Sequence, residues 1–592
     1  MNVQAALGSV RQPRRSQFSH LIRHFIERFF NHETASPDGD AKTRIVQIAC
    51  ATGLPPFIIA IYLWPIYHPI KGWPPGQPHS GELPSYWLQA NHHLFFVVYS
   101  FIALGIATVF EWDLFFPDLL DLQILAPLPI PALRLFAARV TSIALFVGGF
   151  LFDANAFAAL VLPMAMDPPN LPRFLAGHLL AVGTAGLFAA LLIVSLNGLL
   201  LAVFGERFFR RVALLLQGLL ITAFVMLMLL FPVLSGVVPD ILQSGSAFAQ
   251  WSPPFWFLGL YQRLLEGPAA LPVYTSLAQK AVLGTLAVTA LSFVTYPLAY
   301  LRKARQLIEG PGAHVARPLF RPANFVVHRT ILRRPIRRGV FHFISQTLPR
   351  VTRYRIYLVL YGGVGLSVVT ATIVRFSSVH HQVRLGISPD GIRAALAIVV
   401  FWIVAGLRMT FVASGNQRGR WIFRMISGNP APLNAAIEQS RATHLWVLLC
   451  TALFTSIAAG ALSLIAPPAL RSGTAIASQA IFAAGMSLAL TEAFFLNVTA
   501  IPFTGESPRE QPNLALTVLK YFTFFPVVAA LPLRVEPWIE LRRSHFLIAA
   551  VVFGVSHLLL RRSHRGTLRE YSNQLALEED EEDFPMKLGL RS

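Results

Sequence analysis

The chain has 592 residues, 54% apolar and only 13% charged, and carries a formal net charge of +20. Soluble domains hold about 25% charged residues, so this composition, gathered into many apolar runs near twenty residues, excludes a soluble protein and requires repeated membrane crossing. It also turns the positive charge from a nucleic-acid footprint into a mark of cytoplasmic loops lying near anionic headgroups; no nucleic-acid partner is expected, and membrane lipids are.

The first 44 residues form a tail with scattered arginines, and the first apolar run begins only near Ile45, which does not fit a secretory signal. Within the tail, "QFSHLIRHFIERFF" places Phe18, Leu21, Ile22, Phe25, Ile26 and Phe29 on one helical face and His20, Arg23, His24, Glu27 and Arg28 on the other. That pattern predicts an interfacial amphipathic helix. Twelve spans follow, at about 45–70, 91–110, 138–162, 174–204, 212–238, 272–300, 354–375, 389–413, 443–466, 474–500, 514–533 and 543–560. With the N-terminus inside, the inner segments hold 35 Lys and Arg residues and the outer loops nine. This asymmetry orients the chain with both ends in the cytoplasm, in the inner (plasma) membrane.

The longest basic stretch, 301–353, separates a first six-span half (45–300) from a second (354–560), and 561–592 form a C-terminal tail. The expected fold is an all-α polytopic bundle of about twelve helices in two halves. Landmarks recur in order. Before span seven, "RGVFHFISQTLPRVTR" is a shorter amphipathic stretch. After span two, "EWDLFFPDLLDLQILAPLPIPALRLFAARV" carries Asp113, Asp118, Asp121 and Leu122 and a proline-rich stop. After span eight, Trp421 and Arg424 lie in a segment that ends at Pro430 and Pro432. After span five, "WSPPFWFLGLYQRLLEG" sets Pro254 beside Trp256, and after span eleven Pro537 precedes Trp538. Such internal repeats are a transporter habit.

Polar residues inside the spans are few. Glu492 is the clearest intramembrane acid, with Asn497 nearby and Arg408 in span eight as a candidate partner. Lys280, Lys520, Asp153 and Asn155 also fall in or near spans, and His178 and Asn197 suit interhelical hydrogen bonds. His92 and His93 lack a nearby Asp, Glu or Cys to complete a metal set, and Cys50 and Cys450 give neither a disulfide framework nor metal spacing. No metal or cofactor is expected.

The stretch "FPDLLDLQILAPLPIPALRLFAARV" is similar to the acid–leucine–"LPI"–basic segment that leads into the third span of ABC-2 type ABC exporter permeases, and "WSPPFWFLGLYQRLLEG" resembles their outer hairpin. The layout of both halves resembles that class, in duplicate. The resemblance implies an amphipathic N-terminal helix, a coupling helix at 111–133, a re-entrant outer helix, and a separate cytoplasmic ATP-binding subunit docked at 111–133 and 414–432. Asp113, Asp118, Asp121, Leu122, Trp421 and Arg424 would form that interface, with Pro254, Trp256 and Trp538 in the outer hairpins. The chain itself has no GxxxxGK[ST] loop; it is expected to be a transport component and not an enzyme. Two alternatives stand beside this: an ion-coupled carrier working through Glu492, and a lipid-linked transferase using Asp113, Asp118 or Asp121.

Overall fold

A computed structural model describes residues 17–31, 41–68, 85–125, 127–309, 333–379, 382–412, 433–498, 501–503 and 514–582. Apolar runs become helices because in a bilayer every backbone N–H and C=O must be satisfied within its own segment. Among the described residues, eleven helical segments are long and apolar enough to cross a membrane, two of them (Leu171–Phe204 and Val212–Ser235) within one continuous helix. The chain is therefore an all-α, multi-pass membrane protein. The remaining expected span, 514–533, is not one of the eleven; it lies in helix Leu514–Leu541, which contains Pro526, Pro532 and Pro537.

In chain order the first helices are α1 (Gln17–Asn31), α2 (Ala41–Tyr67), α3 (Tyr86–Phe110), α4 (Leu119–Leu125), α5 (Ala132–Met166) and α6 (Leu171–Ser235). They are followed by α7 (Val238–Gln243), α8 (Ala247–Trp251), α9 (Pro253–Glu266) and α10 (Pro272–Glu309). The later elements are α11 (Pro335–Arg350), α12 (Thr352–Ile373), a β-hairpin (Val374–Val379 and Gln382–Ile387), α13 (Pro389–Val412), α14 (Leu433–Ile465), α15 (Gly473–Phe494), α16 (Leu514–Leu541) and α17 (Arg543–Glu582).

Three features depart from the sequence expectation. The inner loop expected at 205–211 is helical, so α6 runs for 65 residues without a break. A helix of that length is about 98 Å long, roughly three times the hydrocarbon thickness. Its middle, "GERFFRR", has charges but no proline, and Arg and Glu are good helix formers. Second, the outer segment after span eight's predecessor, read as loop, forms the β-hairpin; "VRFSSV" and "QVRLGI" alternate in the two-residue period of a strand. Third, the second outer hairpin, built around Trp538, does not appear as a separate helix, because α16 continues through Leu541 and only Arg542 separates it from α17.

The chain divides into two compact units: Met1–Leu220, Leu234–Ala313 and Ser378–Val383 form one, and Ile221–Val233, His314–Ser377 and Arg384–Ser592 the other. In the first, α3 is the central helix, with 72% of its apolar window buried. Polar contacts between helices are short and paired: Asn155 donates to Ser100 (3.2 Å), Asn197 to the Trp112 carbonyl (3.1 Å), and His178 meets Tyr261 (2.9 Å). Helix α9 lies against α10 at backbone distance, since a Cβ on Gly259 would stand 2.8 Å from the Tyr274 carbonyl oxygen. In the second unit α13 takes the central place, 83% buried. By contrast α17 is almost bare on one side, where Leu547, Val551, Leu558 and Leu559 are exposed; such an apolar face suits lipid.

Candidate functional site

The segment between α3 and α5 is built around an arginine. Arg139, one turn into the apolar part of α5, is 3% exposed and needs acceptors for its five N–H groups. A 3₁₀ turn over Trp112–Phe115 supplies two, because its end leaves carbonyls outside any helical ladder. Arg139 donates to the Leu114 carbonyl (2.6 Å), the Phe116 carbonyl (2.7 Å) and Asp121 Oδ2 (3.2 Å), and its guanidinium lies 4.7 Å from the Phe25 ring centre. Tyr296 fixes the same turn by donating to the Phe115 carbonyl at 2.8 Å.

Helix α1 closes the arrangement. Leu21, Phe25 and Phe29 are buried, and Phe29 stacks on Phe146 with ring centres 4.6 Å apart. From the same helix Arg28 donates to Asp118 (2.9 Å) and pairs with Asp121 Oδ1, beside which His24 stands at 3.8 Å. Asp118 also accepts from the Leu119 amide at 2.6 Å, satisfying an orphan donor at the start of α4. Asp121, expected on the cytoplasmic docking interface, is buried and turned inward, its two oxygens held by Arg28 and Arg139. Leu119, Ile124 and Leu128 are exposed, beside the exposed Asp113, Asp118 and Gln123. Asp113 lies in the 3₁₀ turn, and Leu122 lies in α4.

Glu111, which ends α3, is half-buried; burial, and then the charge of Asp113, push its carboxyl up to about 7. The folded chain therefore holds a proton that the unfolded chain, with its value of 4.5, releases first. The stability this contributes is complete below that lower value and is lost as pH rises toward 7. Glu111→Gln should flatten the unfolding midpoint across that window and raise it at pH 8, which a thermal melt at stepped pH checks.

The second unit repeats the bracing with different residues. Helix α11 buries Val340, Ile344 and Leu348, while Arg337 and Arg334 reach Glu438 near the start of α14, at 2.7 and 2.8 Å. Arg441, one turn on, adds a third contact at 2.6 Å. None of these four was singled out from sequence. Trp421 and Arg424, the sequence candidates for this half, lie outside the described residues.

Glu492 does not pair with Arg408 in the way sequence suggested. Its carboxylate faces His444 (3.5 Å) and His557 (3.4 Å), whereas the Arg408 guanidinium lies over the Phe495 ring at 5.7 Å. Asn497 is exposed in the turn after α15. Pro254 is buried in α9, Trp256 donates to the Gln250 carbonyl at 2.9 Å, and Trp538 stacks on His545 with ring centres 4.1 Å apart. Among the described residues no group of three or more His, Cys, Asp or Glu could hold a metal ion.

Compared with models of known protein families, with curated proteins and with solved structures, the chain matches none.

Proposed function

We propose that the chain is the membrane permease component of an exporter of the ABC-2 type, driven by a separate ATPase that presses on α4 and the proline-rich segment after it. The observation that carries this is the bracing of α4. A short helix with exposed Leu119 and Ile124 is tied through Asp118 and Asp121 to Arg28 of α1 and Arg139 of α5. Force applied to its outer face would pass directly into one interfacial helix and one membrane span. Asp121 then serves as a buried anchor, and the partner meets Leu119 and Ile124 beside the half-exposed Asp118. A transferase using Asp121 gains no support, since both carboxylate oxygens already face guanidinium groups.

The decisive experiment is a pull-down from native membranes in mild detergent, comparing wild type with Leu119→Glu, Ile124→Glu. Wild type should retain a protein with a GxxxxGK[ST] loop and hydrolyse ATP as a purified complex, and the double variant should lose both while remaining folded. An intact wild-type preparation with no ATPase activity would end the proposal.

A further inference from the structure

The second unit contains a cavity of about 270 Å³ between α14, α15 and α17. Part of its wall is polar. Ser440, Arg441 and His444 come from α14, Glu492 from α15, and His557, Arg561, His564 and Arg565 from one face of α17. Ile437, Leu445, Leu448, Leu488 and Leu568 make the rest apolar. From α13, Arg408 lies over the neighbouring Phe495 ring.

Hydrogen-bond roles fix the protons. His444 Nδ1 is 2.8 Å from the Ser440 carbonyl, which can only accept, so Nδ1 carries a hydrogen. In the neutral ring Nε2 would then be a bare lone pair, buried without a hydrogen bond and 3.5 Å from the Glu492 carboxylate, another acceptor. Two acceptors facing one another in a buried site repel unless a proton lies between them. His564 is set in the same way: Nδ1 donates to the Leu496 carbonyl (2.5 Å), so in the neutral ring Nε2 accepts from Ser440 Oγ (2.7 Å). With one proton shared by Glu492 and His444 the acid's charge is cancelled, and Arg561 and Arg565 leave the cavity positive.

We propose that this cavity binds the phosphate group of an anionic amphiphile, with Arg561 and Arg565 as its counter-charges and uptake linked to one proton held between Glu492 and His444. The leucine wall accounts for an amphiphile, and the turn-spaced cations on α17 account for a phosphate. The site does not depend on the ATPase proposal.

The test uses the full-length protein in phosphatidylcholine nanodiscs, with either phosphatidic acid added to the lipid or inorganic phosphate added to the buffer, read by native mass spectrometry and by thermal midpoint. Wild type should retain phosphatidic acid, more weakly as pH rises from 6 to 8. Arg561→Gln, Arg565→Gln should bind at least tenfold more weakly, and the Lys pair should recover much of the loss. Glu492→Gln should bind at least as tightly as wild type and lose the pH dependence, because the amide cannot carry the opposing charge. An equal response to inorganic phosphate alone would identify a soluble anion as the source of the phosphate. Unchanged binding in the Arg variant, absence of binding in wild type, or a loss in Glu492→Gln as large as that of the Arg pair would overturn the proposal; the last would mark a proton or cation site.

Discussion

Asp121→Asn should be among the most damaging single changes in the first unit, lowering the unfolding midpoint by on the order of 10 °C. The reason is what it leaves behind. Arg139 is 3% exposed and cannot turn to water, so loss of the carboxylate strands a guanidinium whose remaining acceptors are two backbone carbonyls. Breaking a buried pair from one side typically costs about 3–5 kcal/mol, whereas replacing both partners by apolar groups is close to neutral. Asp121→Leu combined with Arg139→Met should therefore recover most of the loss, even though it removes more polar contacts. Arg28 keeps its 2.9 Å bond to Asp118 in either variant. A thiol-reactive dye labels exposed Cys50 from the start and half-buried Cys450 only as the second unit opens, so the melt is better read by circular dichroism or by aggregation. Equal midpoints for wild type and Asp121→Asn would mean that the pair does not brace the segment.

Hydropathy made the spans legible, because long apolar runs have few alternatives in a bilayer. The amphipathic face of α1 is equally plain: of its six periodic apolar residues Leu21, Phe25 and Phe29 are buried and Phe18, Ile22 and Ile26 partly so. Less visible was the direction of the polar side chains. Asp121 looked like a surface acid because its partners, Arg28 and Arg139, are distant in sequence and Arg139 could be counted as the last charge of a loop. The cavity around Glu492 has a signal that crosses the expected boundary between span twelve and the tail: His557, Arg561, His564 and Arg565 recur at helical spacing, and Ser440 and His444 lie one turn apart. A polar stripe at that period inside or beside an apolar run indicates a lined space. The long α6 shows the opposite limit. Three arginines at 207–211 obey the charge rule for a loop, yet the same residues are good helix formers, and local propensity carries the helix through them.

The second unit offers a graded comparison with Asp121. Glu438→Gln removes an acid that is itself buried, 4% exposed, and faces three arginines. On contact number alone it should cost more than Asp121→Asn. Exposure of the partners decides otherwise: the side chains of Arg334, Arg337 and Arg441 are 64%, 23% and 35% exposed, so each can regain water once released. The expected loss is about 1–3 kcal/mol, most of it from Arg337, the least exposed of the three. A cycle of Glu438→Gln, Arg337→Gln and the double variant should give a coupling of about 1 kcal/mol or more, and the same cycle with Arg334 a value near zero. Cys450 dye labelling during a thermal ramp measures this unit directly. If the Arg334 coupling equals that of Arg337, exposure is not what sets the cost. The three arginines would then have to be treated as one network, in which helix α11 is held by total charge and not by one well-placed bond.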